Sequence, residues 1–323
     1  MLTFRTTNKV GEMGRDRGIY VYGPVASRRL GSSLGVDLVP RKICDYDCVY
    51  CQIGRTTVKT TCREPYVPAH EVLAQLERRL EDEPAVDYIT LAGSGEPTLH
   101  SELDRILTGI RRLSTLPIAI ITNGSLLGDD DVAAACAGAD LIIPSLDAAD
   151  EEIFQAVNRP CRELNLQDVV EGMASFRDAF QGNIWLEIML VKGLNSGEEQ
   201  LKKLGALIGR ISPDKVQLNT VVRPPVEATA CPVDEDELAR LAALLGAGAD
   251  TVPPLSRGIT VSSLGARPQK VLQVVRRRPC TVDDVARALG VNYTEAMKLL
   301  VRMEKEGMLN SRTVNEKTFY VAP

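Results

Sequence analysis

Between Gly35 and Asn219 one pattern recurs six times: a short apolar, β-branched run bounded by turn residues, followed by a segment of helical period. The runs are Gly35 to Val39, Tyr88 to Ala92, Ile118 to Thr122, Leu141 to Pro144, Trp185 to Val191 and Val216 to Asn219. Between them, Val72, Leu73, Leu76 and Leu80 form one stripe over 70–81, and Val169, Val170, Met173, Phe176 and Phe180 form another over 166–180. Strands too apolar to face water on either side, alternating with crossover helices, make a parallel sheet covered by helices. Six such units predict an α/β fold, a partial (β/α)6 TIM-like barrel, with a doubly wound open sheet as the alternative. In both folds ligands gather at the C-terminal ends of the strands.

The pattern fades after Arg223, Pro224 and Pro225, through a predicted helix over 234–245 and a short run at 259–262. From Pro268 the periodicity changes. A helix is expected over 270–277, and a second over 282–289, capped by Thr281, with Asp283 and Asp284 in its first turn and Gly290 at its end. A third, over 294–306, aligns Ala296, Met297, Leu300 and Met303, and 308–321 alternates as a hairpin. Three helices and a hairpin predict a small C-terminal winged helix-turn-helix domain over 268–323, behind a barrel domain with an N-terminal extension over 1–267.

A chain of 323 residues buries enough surface to fold without disulfides. Its longest run free of polar side chains, Leu241 to Ala249, is far short of the roughly 20 residues of a membrane span. Charged residues such as Arg5, Lys9 and Arg15 interrupt the N-terminal segment. The expectation is a soluble cytoplasmic protein with no membrane partner. The net charge of −5 divides unevenly: 268–323 carries ten basic and six acidic residues, a net of +4, which leaves −9 for the rest. On the third helix Lys298, Arg302 and Lys305 lie away from the apolar stripe, and Arg312 and Lys317 belong to the hairpin. Such a surface suits a phosphate backbone of RNA or DNA, and serves equally for protein docking.

Three of the eight cysteines, Cys44, Cys48 and Cys51, fall within eight residues just after the first predicted strand. Three thiolates this close can converge on one metal centre, leaving a position for another ligand. A zinc half-site and a three-cysteine iron–sulfur cluster both fit that spacing. The other five, at 62, 136, 161, 231 and 280, are scattered, as small buried apolar residues are. Polar groups cluster at the later strand ends: Gly93, Ser94, Gly95 and Glu96, then Thr122, Asn123 and Gly124, then Ser145 and Asp147, then Glu187 and Asn219. Glycines there let backbone approach a ligand, and a carboxylate accepts from an ammonium group.

Cys44, Cys48 and Cys51, with Tyr50 before the last, together with Ser94-Gly95-Glu96-Pro97 after the second strand, resemble the radical S-adenosylmethionine (SAM) superfamily. Gly23-Pro24, 27–31, 33–37 and 93–99 resemble its branch of wyosine-type tRNA-modifying Fe–S oxidoreductases, and the likeness extends over about 18–225. The resemblance implies a 4Fe-4S cluster on the three cysteines and S-adenosyl-L-methionine on its fourth iron, cleaved by an electron into methionine and a 5′-deoxyadenosyl radical that takes hydrogen from a substrate. It implies that Ser94, Gly95 and Glu96 hold the methionine amino group, that Asn123, Ser145 and Asp147 meet the ribose or carboxylate, and that Tyr50 meets the adenine. Arg159 either pairs with the methionine carboxylate or bridges surface carboxylates. Flavodoxin or ferredoxin is the implied electron donor. Wyosine-type enzymes ligate a second cluster through cysteines before the triad; residues 1–43 hold no cysteine, a departure from that pattern that speaks against their tricyclic-base reaction.

Arg28 and Arg29, ahead of the first strand, form an ion pair or meet a substrate phosphate or the cofactor. His70 and His100 both read as helix-start residues with no catalytic role. Three functions follow: a radical SAM enzyme acting on tRNA or other RNA, one acting on a small molecule or peptide with the winged helix used for assembly, and a ligand- or redox-sensing DNA-binding regulator.

Overall fold

A computed structural model describes residues 18–82, 86–246, 248–252, 268–314 and 317–323. The expected run at 259–262 and the charged N-terminal segment lie outside these residues. In chain order the first part contains β1 (Val21–Ser27), β2 (Gly31–Val36), the two-residue strands β3 (Ile43–Cys44) and β4 (Val58–Lys59), α1 (Ala69–Asp82), β5 (Tyr88–Leu91), α2 (Leu103–Leu113), β6 (Ile118–Thr122), α3 (Asp130–Cys136) and β7 (Leu141–Pro144). There follow α4 (Glu151–Val157), α5 (Leu166–Ala179), β8 (Asn183–Leu190), α6 (Glu198–Ile211), β9 (Lys215–Thr220), α7 (Glu235–Leu245) and β10 (Ala249–Thr251).

Among the described residues eight strands form one sheet in the order β1-β2-β5-β6-β7-β8-β9-β10. From β2 onward all neighbours are parallel, and β1 pairs antiparallel with β2 at the edge. This is the α/β fold of a partial TIM-like barrel. The sheet is two strands larger than expected, because Tyr22, Gly23 and Pro24 interrupt the apolar run of β1 and β10 has only three residues. β2 also begins four residues before the predicted strand. Its inward face is polar, with the Ser33 hydroxyl 2.5 Å from that of Thr90 on β5, so apolarity alone hides its start.

Strand alternation sorts the core into two faces. Leu34, Val36, Ile89, Leu91, Ile118, Ile120, Ile142, Leu186, Ile188 and Leu218 point outward into the helix layer, where the stripe of α2 (Leu103, Ile106, Leu107, Ile110) meets them. Asp129, Asp150, Asn165 and Asp234 cap α3, α4, α5 and α7, each accepting from the backbone N–H three residues on. On the inner face Leu30, from the β1–β2 turn, packs with Ala119, Leu141 and Ile143 near the strand starts.

After 268 come α8 (Pro268–Val275), α9 (Val282–Leu289), α10 (Tyr293–Lys305) and the antiparallel pair β11 (Asn310–Val314) and β12 (Lys317–Val321). Thr281 and Asp284 form a reciprocal capping box at the start of α9, and Gly290 ends it in the left-handed conformation. This unit has its own core, including Val271, Val285, Leu289, Leu300, Met303 and Tyr320. It packs against β1 through α8 and α9. No helix among the described residues is long and apolar enough to cross a membrane.

Candidate active site

The loop from Cys44 to Cys51 leaves the C-terminal end of β2 and is tied down by backbone bonds: Cys51 N–H to Cys48 O at 3.1 Å, Asp47 N–H to Asn158 O at 3.0 Å and Val49 N–H to Val157 O at 2.9 Å. All three cysteines are partly exposed free thiols. Each has a nitrogen donor beside it: Lys42 Nζ is 3.2 Å from Cys51 Sγ, Asn158 Nδ2 is 3.7 Å from Cys48 Sγ, and Asn123 Nδ2 is 3.9 Å from Cys44 Sγ. Burial, reinforced by the Asp45 carboxylate at Cys44 and by Asp147 at Cys48, pushes both thiols well above the ordinary range. Unligated, they are protonated; binding to iron expels those protons. Among the described residues, no three His, Cys, Asp or Glu side chains gather as around a single metal ion. Three thiols on one loop, each faced by a donor that would meet cluster sulfur, fit a polynuclear iron–sulfur centre.

The loop after β5 touches this one. A Cβ on Gly95 would stand 1.9 Å from the Ile43 carbonyl oxygen, so only glycine fits where the two loops meet. Glu96 N–H donates to that same carbonyl at 3.2 Å. The buried Glu96 carboxylate accepts from Thr98 N–H (3.0 Å), Thr98 Oγ1 (2.7 Å) and Thr122 Oγ1 (2.6 Å) at one oxygen, and from Asn123 N–H (2.7 Å) at the other. Burial, then repulsion from Asp45, raises its pKa to about 7. Ser94 is held from behind: Asp37 accepts from its N–H at 3.0 Å and from its Oγ at 2.6 Å.

At the end of β7, Asp147 accepts from the Tyr50 hydroxyl, from Asn158 Nδ2 at 2.7 Å and from Met189 N–H at 2.8 Å. Its burial raises its pKa to about 6. Ser145 N–H donates to Thr122 O at 3.1 Å. Tyr50, Ser94, Gly95, Glu96, Asn123, Ser145 and Asp147 thus stand on one rim with the thiols. Arg159 does not join them: its guanidinium is paired with Glu227 at 2.7 Å, and Glu227 also takes Arg55. Asp37, Lys42, Asp45 and Asn158 were missed. Asp45 lies inside the triad and Asn158 beside Arg159, so sequence adjacency was the available signal. Asp45 is buried under Ser125 Oγ and Asn123 Nδ2, and Asn158 Oδ1 has no partner among the described residues.

Residues 38–205 match the Radical SAM superfamily. The chain belongs to this superfamily. It is an enzyme, and members of the superfamily bind SAM and an Fe–S cluster and need a reductant. The chain is 37% identical over 225 residues to a UPF0026 protein of Methanocaldococcus jannaschii, covering 69% of this chain and 70% of that one. It is 33% identical over 298 residues to a Brachyspira hyodysenteriae protein named GTPase Obg, covering 91% of this chain but spanning only 44% of that relative's length. In structure it is similar to a radical SAM methyltransferase from Sphaerobacter thermophilus (TM-score 0.53, 18% identity, 71% of this chain and 67% of that one).

In this radical SAM chain a cavity of about 1110 Å³ opens beside Tyr50, Cys51, Gly93 and Gly95. It runs past Glu187 and Asn219 to Arg277, Arg278, Asp284 and Lys317 of the C-terminal unit. Arg29 pairs with the buried Glu187 at 2.7 Å, whereas Arg28 donates to the Asn219 amide oxygen at 3.2 Å. His100 is buried and ends the short 3-10 turn Pro97–Leu99 rather than starting a helix, held by Val67 O at 2.9 Å and by Glu102 N–H at 3.1 Å. His70 lies exposed in the first turn of α1. Lys298, Arg302, Lys305, Arg312 and Lys317 are all exposed.

Proposed function

We propose that this chain binds a 4Fe-4S cluster through Cys44, Cys48 and Cys51 and catalyses hydrogen abstraction from a substrate held in the cavity. The observation that carries this reading is the contact of two loops, the thiol loop and Gly93–Glu96, at the carboxyl ends of β2 and β5. A cluster held by these cysteines, with SAM bound, would supply the reductive cleavage of SAM to methionine and a 5′-deoxyadenosyl radical. The chain's own groups do the rest. The free acceptor direction of Glu96 and the Gly95 backbone receive the methionine ammonium group, Ser94 is oriented by Asp37, and Asn123, Ser145 and Asp147 take the ribose or carboxylate. The Tyr50 ring, fixed by its hydroxyl on Asp147, flanks the adenine. Arg159 is given no ligand role, since Glu227 occupies it.

The substrate reading that fits best is RNA, tRNA included, because the 268–323 unit, read as a winged-helix domain, leaves Lys298, Arg302 and Lys305 free of its core and in solvent. A small-molecule or peptide substrate is the second reading, favoured by a cavity walled by that same unit. The regulator has no support in an enzyme superfamily. Eight free cysteines suit the reducing cytoplasm, where flavodoxin or ferredoxin supplies the electron. Anaerobic reconstitution is expected to load about four irons per chain, and the reduced protein to convert SAM to 5′-deoxyadenosine. Cys48→Ala abolishes both; an undiminished rate in that variant overturns the assignment.

A further inference from the structure

Where the cavity meets the C-terminal unit, guanidinium groups outnumber the carboxylates free to neutralise them among the described residues. Arg28 enters from the β1–β2 turn, Arg223 from the segment after β9, and Arg278 from the turn after α8, and all three line the cavity. The nearby carboxylates are already engaged. Glu187 holds Arg29 at 2.7 Å and accepts from Asn219 Nδ2 at 2.8 Å. Asp37 holds Ser94 and stands 3.5 Å from Arg277. Asp284 serves the α9 cap, accepting from Thr281 N–H at 3.0 Å, before it meets Arg223 at 3.4 Å. Glu235 and Asp283, also on the wall, are exposed to solvent.

The crowding has an electrostatic signature. Arg28 is drawn down to about 10, first by burial and then by the positive charges of Arg223 and Arg29. Arg223 is lowered by burial and next by Arg278, whereas Arg278 itself is raised against its burial by Cys280, Asp284 and Tyr22. Partly buried like charges that line one cavity are costly unless an anion with several acceptor oxygens joins them, and guanidinium forks match the tetrahedral oxygens of phosphate.

We propose that Arg28, Arg223 and Arg278 bind a phosphate group of the substrate, in a subsite that the barrel and the C-terminal unit build jointly. This rests on reading the cavity as the substrate chamber of the radical reaction, and it identifies the substrate class as phosphate-bearing. The phosphate belongs either to a free phosphorylated compound or to an RNA backbone.

The test is calorimetric titration of the full chain with inorganic pyrophosphate at low ionic strength, and separately with tRNA. Arg28→Gln is the informative variant, since Arg28 touches a neutral amide and its loss strands no carboxylate; Arg105→Gln, in an exposed pair on α2, is the control. Arg28→Gln is expected to weaken pyrophosphate at least tenfold, with the control within twofold of the unmodified protein. Competition between tRNA and pyrophosphate for the Arg28-dependent site identifies an RNA backbone as the source, and pyrophosphate binding without competition identifies a free phosphate compound. Failure of both probes to bind, or equal affinity in Arg28→Gln, overturns the proposal. SAM cleavage by the reconstituted protein is measured apart: its absence alongside Arg28-dependent binding overturns the radical reaction and leaves the anion site standing, and the converse overturns only the anion site.

Discussion

Arg277, just past α8, stands 3.5 Å from Asp37 at the end of β2, and Asp37 in turn fixes both the N–H and the hydroxyl of Ser94. The guanidinium also lies 4.3 Å over the Tyr22 ring and donates to Ile19 O at 2.6 Å. Two links therefore connect the C-terminal unit to the loop proposed to hold the SAM amino group.

Arg277→Ala is expected to lower SAM affinity three- to tenfold without removing any group that touches SAM. Losing a partly buried pair and a cation–π contact costs about 1–2 kcal/mol, which corresponds to a fall in Tm of about 1.5–3 °C. Titration calorimetry of the reconstituted variant checks the first value and a thermal scan the second. Unchanged affinity with a lowered Tm would reduce Arg277 to a purely structural role.

Gly95→Ala places a methyl group against the Ile43 carbonyl, a backbone atom that cannot rotate away. Overpacking of this kind costs about 1–3 kcal/mol, a cost the remainder of the core tolerates. The expected outcome is a folded protein, by circular dichroism, whose iron content after reconstitution falls at least fivefold.

Glu96 makes stability depend on pH. Its carboxyl ionises near 4.3 in the unfolded chain but at about 7 in the folded one, because of burial and then Asp45. Below the unfolded value both states are protonated and its contribution is fully present. As pH rises towards 7 the unfolded chain ionises first, and stability is lost by up to about 3 kcal/mol. Asp147, raised to about 6, adds to the same slope. Urea unfolding between pH 4.5 and 7.5 is expected to show this decline, and Glu96→Gln to reduce it.

The exposed cations of α10 carry a prediction of their own. Reversing Lys298, Arg302 and Lys305 to glutamate leaves the apolar core of the unit intact, so the fold is expected to persist. tRNA binding weakens, and the slope of log affinity against log salt becomes shallower by about two to three. An unchanged slope would turn that face over to protein contacts.

Strands β5 to β9 were legible because each is a dense apolar run, bounded by turn residues and shielded by helices on its outer side. β1 was not, since Tyr22, Gly23 and Pro24 break its alternation; β10 has only three residues, one of them Asp250. The thiols and the polar strand ends were legible from spacing. The supports behind them were not: Asp37 meets Ser94 across 57 residues, Asn158 meets Cys48 across 110, and Arg28 meets Asn219 across 191. Such pairings arise only when parallel strands bring distant segments into register. The division at 268 was read from a change in periodicity and charge, which says nothing of how closely the small unit leans on β1.

Leu30 seals the inner face near the strand starts, wedged among Ala119, Leu141 and Ile143. A floor closed in this way, with Tyr88, Ile121 and Trp185 packed against it, leaves the strand ends as the way in. Whatever is generated beside the thiols has its polar neighbours above it, at the rim, where the substrate enters.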